Sequence, residues 1–244
     1  MDINKKSNRK EDYKLSACQK FYRFIKSIAD FLMALIALIV LCPLFIIVAI
    51  AIKVDSKGPV FFLQNRIGKN GKEFKCIKFR SMAQDAKHDV ASHEFSAVDS
   101  YITKVGKVIR KLSIDELPQI FNILAFQMSW IGFRPALSNQ TDLDEMRKQY
   151  NVYQVKPGIS GWAQVNGRDV LAASSKKKAE YDRYYVKHFS IWLDIKIFFM
   201  TIGKVFSSAD FQEGAVDKND TEEAVALDKS NVDGGLKNSE KQVG

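Results

Sequence analysis

Two adjacent carboxylates, Asp115 and Glu116, open an apolar run in the segment SIDELPQIFNI, residues 113–123. Ser113 and Glu116 have the spacing of a capping box, and acids in the first turn of a helix offset its dipole. Pro118 favours a helix start close to Asp115, because proline is tolerated only in the first turn. Helix capping therefore explains the pair by itself, and catalysis is the alternative.

Positive residues around the pair favour catalysis. Arg110 precedes it, Arg134 follows in GFRPAL, and Arg168 ends a glycine-rich segment. Arginine binds phosphate oxygens bidentately, and a cationic setting lowers the pKa of a carboxylate, which would keep Asp115 ionised as a nucleophile. Glu116 could hold Mg²⁺, whose charge shields a carboxylate that approaches a phosphate. These are the parts for phosphoryl transfer through an aspartyl-phosphate.

The composition indicates an anionic partner. The chain has 244 residues, 46% of them hydrophobic, and a formal net charge of +9. This charge fits nucleic acid, a membrane surface or a phosphorylated substrate. From Gln212 onward there are eight acids and four lysines, a net charge of −4, so the preceding part carries +13. The tail has no aromatic residue and little apolar periodicity, which predicts disorder.

Cysteine and histidine form no recognisable pattern. The three cysteines are widely spaced, which matches neither a disulfide framework nor a zinc motif. The three histidines have no metal-ligand spacing, so a histidine-based metal site is disfavoured.

An uncharged run of 22 residues, Phe31 to Ile52, is long enough to span a bilayer core as a helix. Basic residues flank it on both sides, so both flanks favour the cytoplasm. Pro43, near the middle, removes a helix hydrogen bond and tends to bend a helix. A helix bent there would enter and leave by the same face, whereas a spanning helix would tolerate the proline. Charge alone does not decide between the two.

The remaining segments predict strands and helices. A β-prone run at 60–63 and the alternating segment 73–79 flank the turn signal GKNG, which indicates a β-hairpin. Residues 141–150 are helix-prone, and glycine and proline in 155–168 predict a loop. Residues 190–206 are amphipathic and aromatic, which is typical of a helix lying in the membrane interface.

Three separated segments resemble one known family. They read DSKGPVFFLQNRIGKNGKEFKCIKFRSM, VGKVIRKLSIDELPQIFNIL and VKPGISGWAQVNGR. Their order is similar to that in the bacterial sugar transferases, the monotopic polyprenyl-phosphate phosphoglycosyl transferases that begin exopolysaccharide, capsule and glycoprotein glycan synthesis. The resemblance runs from about Phe21 to Phe206. The small form is expected, since the residues before the apolar run are too few for the multi-helix membrane domain of larger members.

The resemblance implies an α+β, mainly α fold. Its expected parts are a re-entrant membrane helix bent at Pro43, a small β-hairpin, and a helical cytoplasmic domain with interfacial amphipathic helices. The expected divisions are a basic N-terminal segment (1–20), the membrane helix (21–54), the sugar transferase domain (55–210) and the disordered acidic tail (211–244). The protein is expected in the bacterial inner membrane, with its soluble parts on the cytoplasmic side.

The resemblance also implies a reaction. The aspartate of the pair attacks the β-phosphate of a UDP-sugar, releasing UMP, and polyprenyl phosphate, typically undecaprenyl phosphate, then takes the sugar phosphate. By position, Asp115 would be the nucleophile and Glu116 the Mg²⁺ ligand. The phosphate-binding arginines of the family correspond to Arg110, Arg134 and Arg168, and the basic motif KFRSM adds Lys78 and Arg80.

The chain departs from the family pattern in AFQMSWIGFRPAL, where the family usually has GDMSLVGPRP. An acid becomes Gln127, a glycine becomes Phe126 and a proline becomes Phe133. Gln127 removes a negative charge close to the expected site, which weakens any second acidic role there. The Asp-Glu pair and the arginines remain, so activity is expected.

Two other interpretations stay open. A membrane-anchored binding or regulatory protein, with a basic face for anionic lipids or nucleic acid, would explain the charge without catalysis. Against nucleic acid, the arginines stand among glycine, proline and carboxylates and form no stripe with interleaved aromatics. An inactive transferase homologue is the second alternative, motivated by Gln127 and Phe133. The sequence names neither the sugar nor the pathway, and it leaves homo-oligomerisation open.

Overall fold

The computed structural model describes residues 13–83, 101–166 and 175–206. These residues form a mainly helical α+β fold with a long apolar N-terminal helix, as the sequence predicts, and they contain a second small sheet besides the predicted hairpin. The tail at 211–244 and Arg168 lie outside the described residues. The helices are α1 (Ala17–Asp55), α2 (Lys104–Lys111), α3 (Gln119–Leu124), α4 (Thr141–Gln149), α5 (Trp162–Asn166), α6 (Ser175–Lys187) and α7 (Ile191–Phe206). The strands are β1 (Phe61–Ile67), β2 (Glu73–Phe79), β3 (Ser129–Ile131) and β4 (Gly158–Ser160).

Helix α1 is continuous over 39 residues and contains the whole uncharged run, with Pro43 inside it. It begins ahead of the run because Ser16 and Gln19 form a capping box, in which the Gln19 N–H donates to Ser16 Oγ at 3.2 Å. Apolar side chains along its middle stay exposed, and Ile39 and Val40 are each 69% exposed. A long apolar helix that the protein does not bury is suited to a membrane.

Both ends of α1 are tied to the rest of the protein. In its first half, Ser129 Oγ donates to Asp30 Oδ2 at 2.7 Å, a contact to β3. At its end, the N–H of Val105 in α2 donates to Asp55 Oδ2 at 2.9 Å. These partners belong to one compact unit, so the two ends of α1 pack against the same body.

The predicted hairpin is confirmed. Strands β1 and β2 pair antiparallel from Phe61 opposite Phe79 to Ile67 opposite Glu73. Their connection places Asn70 at a φ of 60° and Gly71 at 69°, a left-handed conformation that these residue types tolerate. Because side chains alternate along a strand, one face of the hairpin carries four polar or sulfur-containing residues. They are Gln64, Arg66, Cys76 and Lys78.

The predicted capping box of Ser113 and Glu116 is wrong. Ser113 adopts a left-handed conformation with φ 54°, and its N–H donates to Arg110 O at 3.0 Å, so it ends α2 and caps no following helix. A 3-10 turn, Ile114–Glu116, comes next, and α3 starts only after Pro118. The Glu116 side chain is therefore available for other partners.

The glycine-rich segment predicted as a loop contains strand β4 and helix α5, so this prediction is wrong over most of its length. Strand β4 pairs in parallel with β3. A Cβ on Gly158 would lie 2.1 Å from Gly132 N, and one on Gly161 would lie 2.0 Å from Gly132 O. The two backbones touch here, and only glycine permits such an approach. Glycines that are typical of a loop thus mark a tight strand contact.

The predicted helix near the C-terminal end is confirmed as α7, and its apolar face points outward. Trp192 is 77% exposed and Phe199 is 65% exposed. Asp194 is buried, where Tyr185 Oη donates to Oδ1 at 2.8 Å and Lys26 Nζ lies 2.8 Å from Oδ2. The helix thus buries one face, which carries Asp194 and Ile197, and exposes aromatic and aliphatic residues together with Lys196 on the other. Its location in a membrane interface stays a prediction.

Candidate active site

Glu116 is held between two cations from distant parts of the chain. Lys78 Nζ lies 2.7 Å from Glu116 Oε1, and Arg134 Nη2 lies 2.9 Å from the same oxygen. Arg134 Nη1 lies 3.5 Å from Oε2. The Glu116 side chain is 18% exposed, so these contacts are largely shielded from water. The structure thus brings three of the predicted site residues together.

The charge state of Glu116 is fixed by these partners. Burial alone would raise the pKa of its carboxyl group. The charges of Arg134 and Lys78, and the hydrogen bonds that both donate, outweigh burial and hold the pKa of Glu116 well below its ordinary value. The side chain therefore stays ionised at neutral pH, as an acceptor and an anchor for two cations.

A small, half-open cleft lies beside this cluster. The hairpin supplies Arg66, Cys76 and Lys78, and α3 supplies Gln119 from its first turn. Burial raises the pKa of the Cys76 thiol, so at neutral pH it is a neutral wall residue rather than a nucleophile.

Arg66 adds a fixed cation to the cleft. Its Nη1 donates to Pro135 O at 2.8 Å, and its Nη2 donates to Gln64 Oε1 at 2.7 Å. Burial, together with the charge of Arg134, lowers the pKa of Arg66 to about 10, which still leaves it protonated at neutral pH. The cleft is therefore strongly positive and suits an anionic ligand.

A buried ion pair positions the segment that carries Arg134. The backbone oxygen of Arg134 accepts a hydrogen bond from Arg147 Nη2 at 2.8 Å. Arg147 Nη2 also lies 2.6 Å from Asp182 Oδ2 on α6, and both side chains of this pair are 2% exposed. The Arg147 guanidinium lies over the Phe133 ring, 5.0 Å from its centroid. The Arg134 backbone cannot move far without disturbing this buried pair.

Asp115, the expected nucleophile, is half-buried in the 3-10 turn directly before Glu116. The turn packs against β2 and α2, and the last turn of α2 contains Arg110. Asp115 therefore stands next to the anchored Glu116, on a turn held by the hairpin and by the helix of Arg110. Arg168 is outside the described residues.

Arg80 lies elsewhere. It is buried, its Nη1 donates to Lys57 O at 2.7 Å, and its Nη2 donates to Ser56 O at 2.7 Å. A cation that satisfies carbonyl groups at the end of α1 stabilises that helix terminus. The structure does not place Arg80 among the residues that line the cleft.

Sequence reasoning does not single out Arg66, Cys76 or Gln119 as site residues. For Arg66 and Cys76 a signal exists, since both share a hairpin face with Lys78 once the strand register is known. Gln119 follows the Asp-Glu pair by three residues. Its place in the cleft depends on α3 starting only after Pro118, which the sequence does not indicate.

The departures from the family pattern have structural explanations at two positions. Phe126 adopts φ 58°, a conformation that favours glycine, and its ring stacks on Phe31 with 5.2 Å between centroids. Gln127 Oε1 accepts a hydrogen bond from Asn122 Nδ2 at 2.8 Å, a contact that a carboxylate oxygen would also make. This bond links Gln127 to α3, and it does not reach the Glu116 cluster.

Mg²⁺ would fit this site as an ion shared with a substrate. Among the described residues, no three His, Cys, Asp or Glu side chains group as a metal site. Mg²⁺ commonly takes one or two carboxylates, phosphate oxygens and waters. Glu116 Oε2 lies 3.5 Å from Arg134 Nη1, and Asp115 is adjacent in the same 3-10 turn, so among the described residues these two acids would hold it.

Comparisons with known proteins identify the family. The bacterial sugar transferase family model matches residues 21–208. The chain is 46% identical over 191 residues to the UDP-N-acetylgalactosamine-undecaprenyl-phosphate N-acetylgalactosaminephosphotransferase of Aeromonas hydrophila, covering 76% of this chain and 44% of that protein. It is 40% identical over 190 residues to the UDP-glucose:undecaprenyl-phosphate glucose-1-phosphate transferase of Xanthomonas campestris pv. campestris, covering 76% of this chain and 39% of that protein.

A shorter relative matches over most of its length. The exopolysaccharide production protein ExoY of Sinorhizobium fredii is 35% identical over 190 residues, which covers 72% of this chain and 83% of that protein. The chain spans less than half the length of the two longer relatives. The family match covers the apolar helix, the hairpin and the Glu116 cluster together, and on this ground the chain belongs to the bacterial sugar transferase family.

Proposed function

We propose that this protein transfers a sugar-1-phosphate from a UDP-sugar to a polyprenyl phosphate, typically undecaprenyl phosphate, with release of UMP. The observation that carries the proposal is the Asp115-Glu116 turn beside a cleft lined by Lys78, Arg66 and Arg134. Such a cleft suits a diphosphate. The longer relatives are named for UDP-sugar substrates and undecaprenyl phosphate, which supports the same reaction here.

In the first step, a carboxylate oxygen of Asp115 attacks the β-phosphorus of the UDP-sugar. The bond from this phosphorus to the oxygen that bridges the two phosphates breaks, UMP leaves with that oxygen, and a sugar-phosphoryl aspartate remains. Arg134 and Arg66 would bind the equatorial phosphate oxygens, where negative charge is concentrated. Arg110 and Arg168 are proposed to serve the same ligand.

In the second step, a phosphate oxygen of the polyprenyl phosphate attacks the same phosphorus. The bond to Asp115 breaks, the carboxylate is regenerated, and a polyprenyl-diphosphate sugar is released. Bound Mg²⁺ would neutralise part of the phosphate charge. Glu116 fixes Lys78 and Arg134 in place, so these cations are ordered before the substrate arrives.

The proposed location is the bacterial inner membrane, with the cleft on the cytoplasmic side. Both ends of α1 contact the same compact body, which favours a re-entrant helix over one that crosses to the opposite face. The outward apolar face of α7, including Trp192 and Phe199, would lie in the interface of the same leaflet. The ExoY relative supports a role in exopolysaccharide synthesis.

The proposal is tested by UMP release from purified protein in detergent. The assay contains Mg²⁺, undecaprenyl phosphate and a panel of UDP-sugars that includes UDP-glucose and UDP-N-acetylgalactosamine. We expect release with at least one donor, and loss of release when a chelator removes Mg²⁺. Absence of UMP with every donor would overturn the function. Asp115→Asn should abolish a radiolabelled sugar-phosphate adduct on the protein, and an active Asp115→Asn variant would refute the nucleophile assignment.

A further inference from the structure

A second group of cations lies behind Arg134, on the side of helix α6. Lys178 and Asp182 are four residues apart on this helix and therefore share one face. Asp182 is bound by Arg147, whose Nη2 also donates to Arg134 O at 2.8 Å. Lys178 is thus next to the pair that fixes the Arg134 segment.

This group holds two cations, Arg147 and Lys178, and one carboxylate, Asp182. Asp182 pairs with Arg147, whose Nε lies 2.9 Å from Asp182 Oδ2, and within the described ranges Lys178 Nζ has no carboxylate at ion-pair distance. The buried Nη1 of Arg147 has no hydrogen-bond partner in the same part of the chain. Like charges brought together away from water repel one another, and an unmet buried donor costs free energy. An anion bound beside Lys178 would lower the repulsion between these cations.

We propose that Lys178 is a further phosphate-binding cation, which together with Arg134 holds the diphosphate of the UDP-sugar. Arg134 would link two halves of one anion site, since its side chain reaches the Glu116 cleft and its backbone lies against the Arg147-Asp182 pair. The inference rests on the proposed function and adds a binding residue from α6 to it. A diphosphate carries enough negative charge and enough acceptor oxygens to contact both halves.

The protonation of Lys178 provides a readout of direct contact. Burial, followed by the charges of Arg147 from α4 and of Arg134, lowers the pKa of Lys178, while Asp182 on its own helix opposes the shift. Lys178 should therefore lose its charge at a lower pH than an ordinary lysine. Binding of a phosphate ligand should weaken as the pH rises toward that range, and an arginine at this position should remove the effect.

The experiment measures binding of pyrophosphate and of UDP to the full chain in detergent by calorimetry. The variants are Lys178→Met and Lys178→Arg, and the matched control is Lys176→Met, an exposed lysine on the same helix. Unfolding temperatures confirm that each variant is folded. We expect Lys178→Met to weaken the binding of both ligands tenfold or more, because a charged hydrogen bond is lost; tenfold corresponds to about 1.4 kcal/mol. Lys178→Arg should stay within about threefold and lose the alkaline weakening, and Lys176→Met should not change binding.

Each other outcome is decisive. Pyrophosphate and UDP binding by Lys178→Met equal to that of the unmodified protein would overturn the inference, as would failure of the unmodified protein to bind either ligand. If Lys178→Met raises the KM for polyprenyl phosphate but not for the UDP-sugar, Lys178 binds the lipid phosphate and the diphosphate assignment is overturned. If the unmodified protein binds pyrophosphate through Lys178 but releases no UMP from any UDP-sugar, the anion site stands and the proposed function fails.

Discussion

The buried pair of Arg147 and Asp182 gives the sharpest test of how the site is positioned. Asp182→Asn keeps the shape of the side chain but leaves the Arg147 charge buried without a partner. Both side chains are 2% exposed and Asp182 accepts two hydrogen bonds from Arg147, so water cannot replace the lost charge without opening the fold. Breaking a buried ion pair on one side costs roughly 3–5 kcal/mol.

This cost converts into a shift of the unfolding temperature. A chain of about this length loses roughly 2–4 °C per kcal/mol, so Asp182→Asn should unfold roughly 6–20 °C lower. The measurement is thermal unfolding in a mild detergent, followed by circular dichroism. The matched control is Lys148→Met on α4, whose side chain is 61% exposed and pairs with Asp144 on the surface. That variant should unfold at the same temperature as the unmodified protein.

The double variant Arg147→Met with Asp182→Leu separates stability from positioning. Replacing both charges by apolar groups of similar size should restore most of the lost stability. It still removes the hydrogen bond from Arg147 to Arg134 O, so UMP release should stay reduced, by roughly 10- to 100-fold if Arg134 shifts by about 1 Å. The reasoning is refuted if Asp182→Asn shifts the unfolding temperature no more than Lys148→Met does. It is also refuted if the losses of stability from Arg147→Met alone and from Asp182→Leu alone simply add in the double variant.

Three further outcomes follow from the site and from the glycine contact. Glu116→Gln should lower UMP release by roughly 100-fold, because its contacts to Lys78 and Arg134 lose a full charge at roughly 1.5–3 kcal/mol per charged bond. The control Glu145→Gln, at an exposed position, should release UMP at the unmodified rate. Equal rates for the two variants would contradict the anchoring role of Glu116. The depressed pKa of Glu116 means that its stabilisation is complete above the ordinary carboxyl pKa and is lost as pH falls through the lower folded-state value. The difference in unfolding temperature between the unmodified protein and Glu116→Gln should therefore be constant from pH 7 to about 5 and should shrink in stronger acid. A difference that already shrinks near pH 6 would disprove the lowered pKa of Glu116. Gly132→Ala should lower both the unfolding temperature and UMP release, because its Cβ would lie 2.4 Å from Lys156 O. The control Gly203→Ala, whose Cβ would have no atom within 4 Å, should unfold at the same temperature or slightly higher. Similar behaviour of the two variants would count against the backbone contact.

Local signals in the sequence predict much of this fold. The alternation on both sides of GKNG predicts the hairpin, and 22 uncharged residues predict the apolar helix. Both patterns are read within one element, so the periodicity of the chain suffices.

The predictions that are missing or wrong concern contacts between elements or the conformation of the backbone. Lys78 and Glu116 are 38 residues apart, and no local pattern brings them to 2.7 Å. Ser113 occupies a left-handed position that glycine would have marked, so its sequence context indicates a cap where the structure has a helix end. The expected roles of Asp115, Arg110 and Arg168 stay predictions.

The contact between β3 and β4 has a consequence for engineering the range of sugar donors. Gly132, Gly158 and Gly161 admit no side chain, so a mutant library that includes these codons would consist mostly of unfolded clones. Cys76 and Gln119 line the cleft outside the ion pairs around Glu116, but both are almost fully buried, so they accept replacements of similar volume. Under the proposed function, a selection for new donors should therefore vary these two side chains among residues of similar size and hold the three glycines constant.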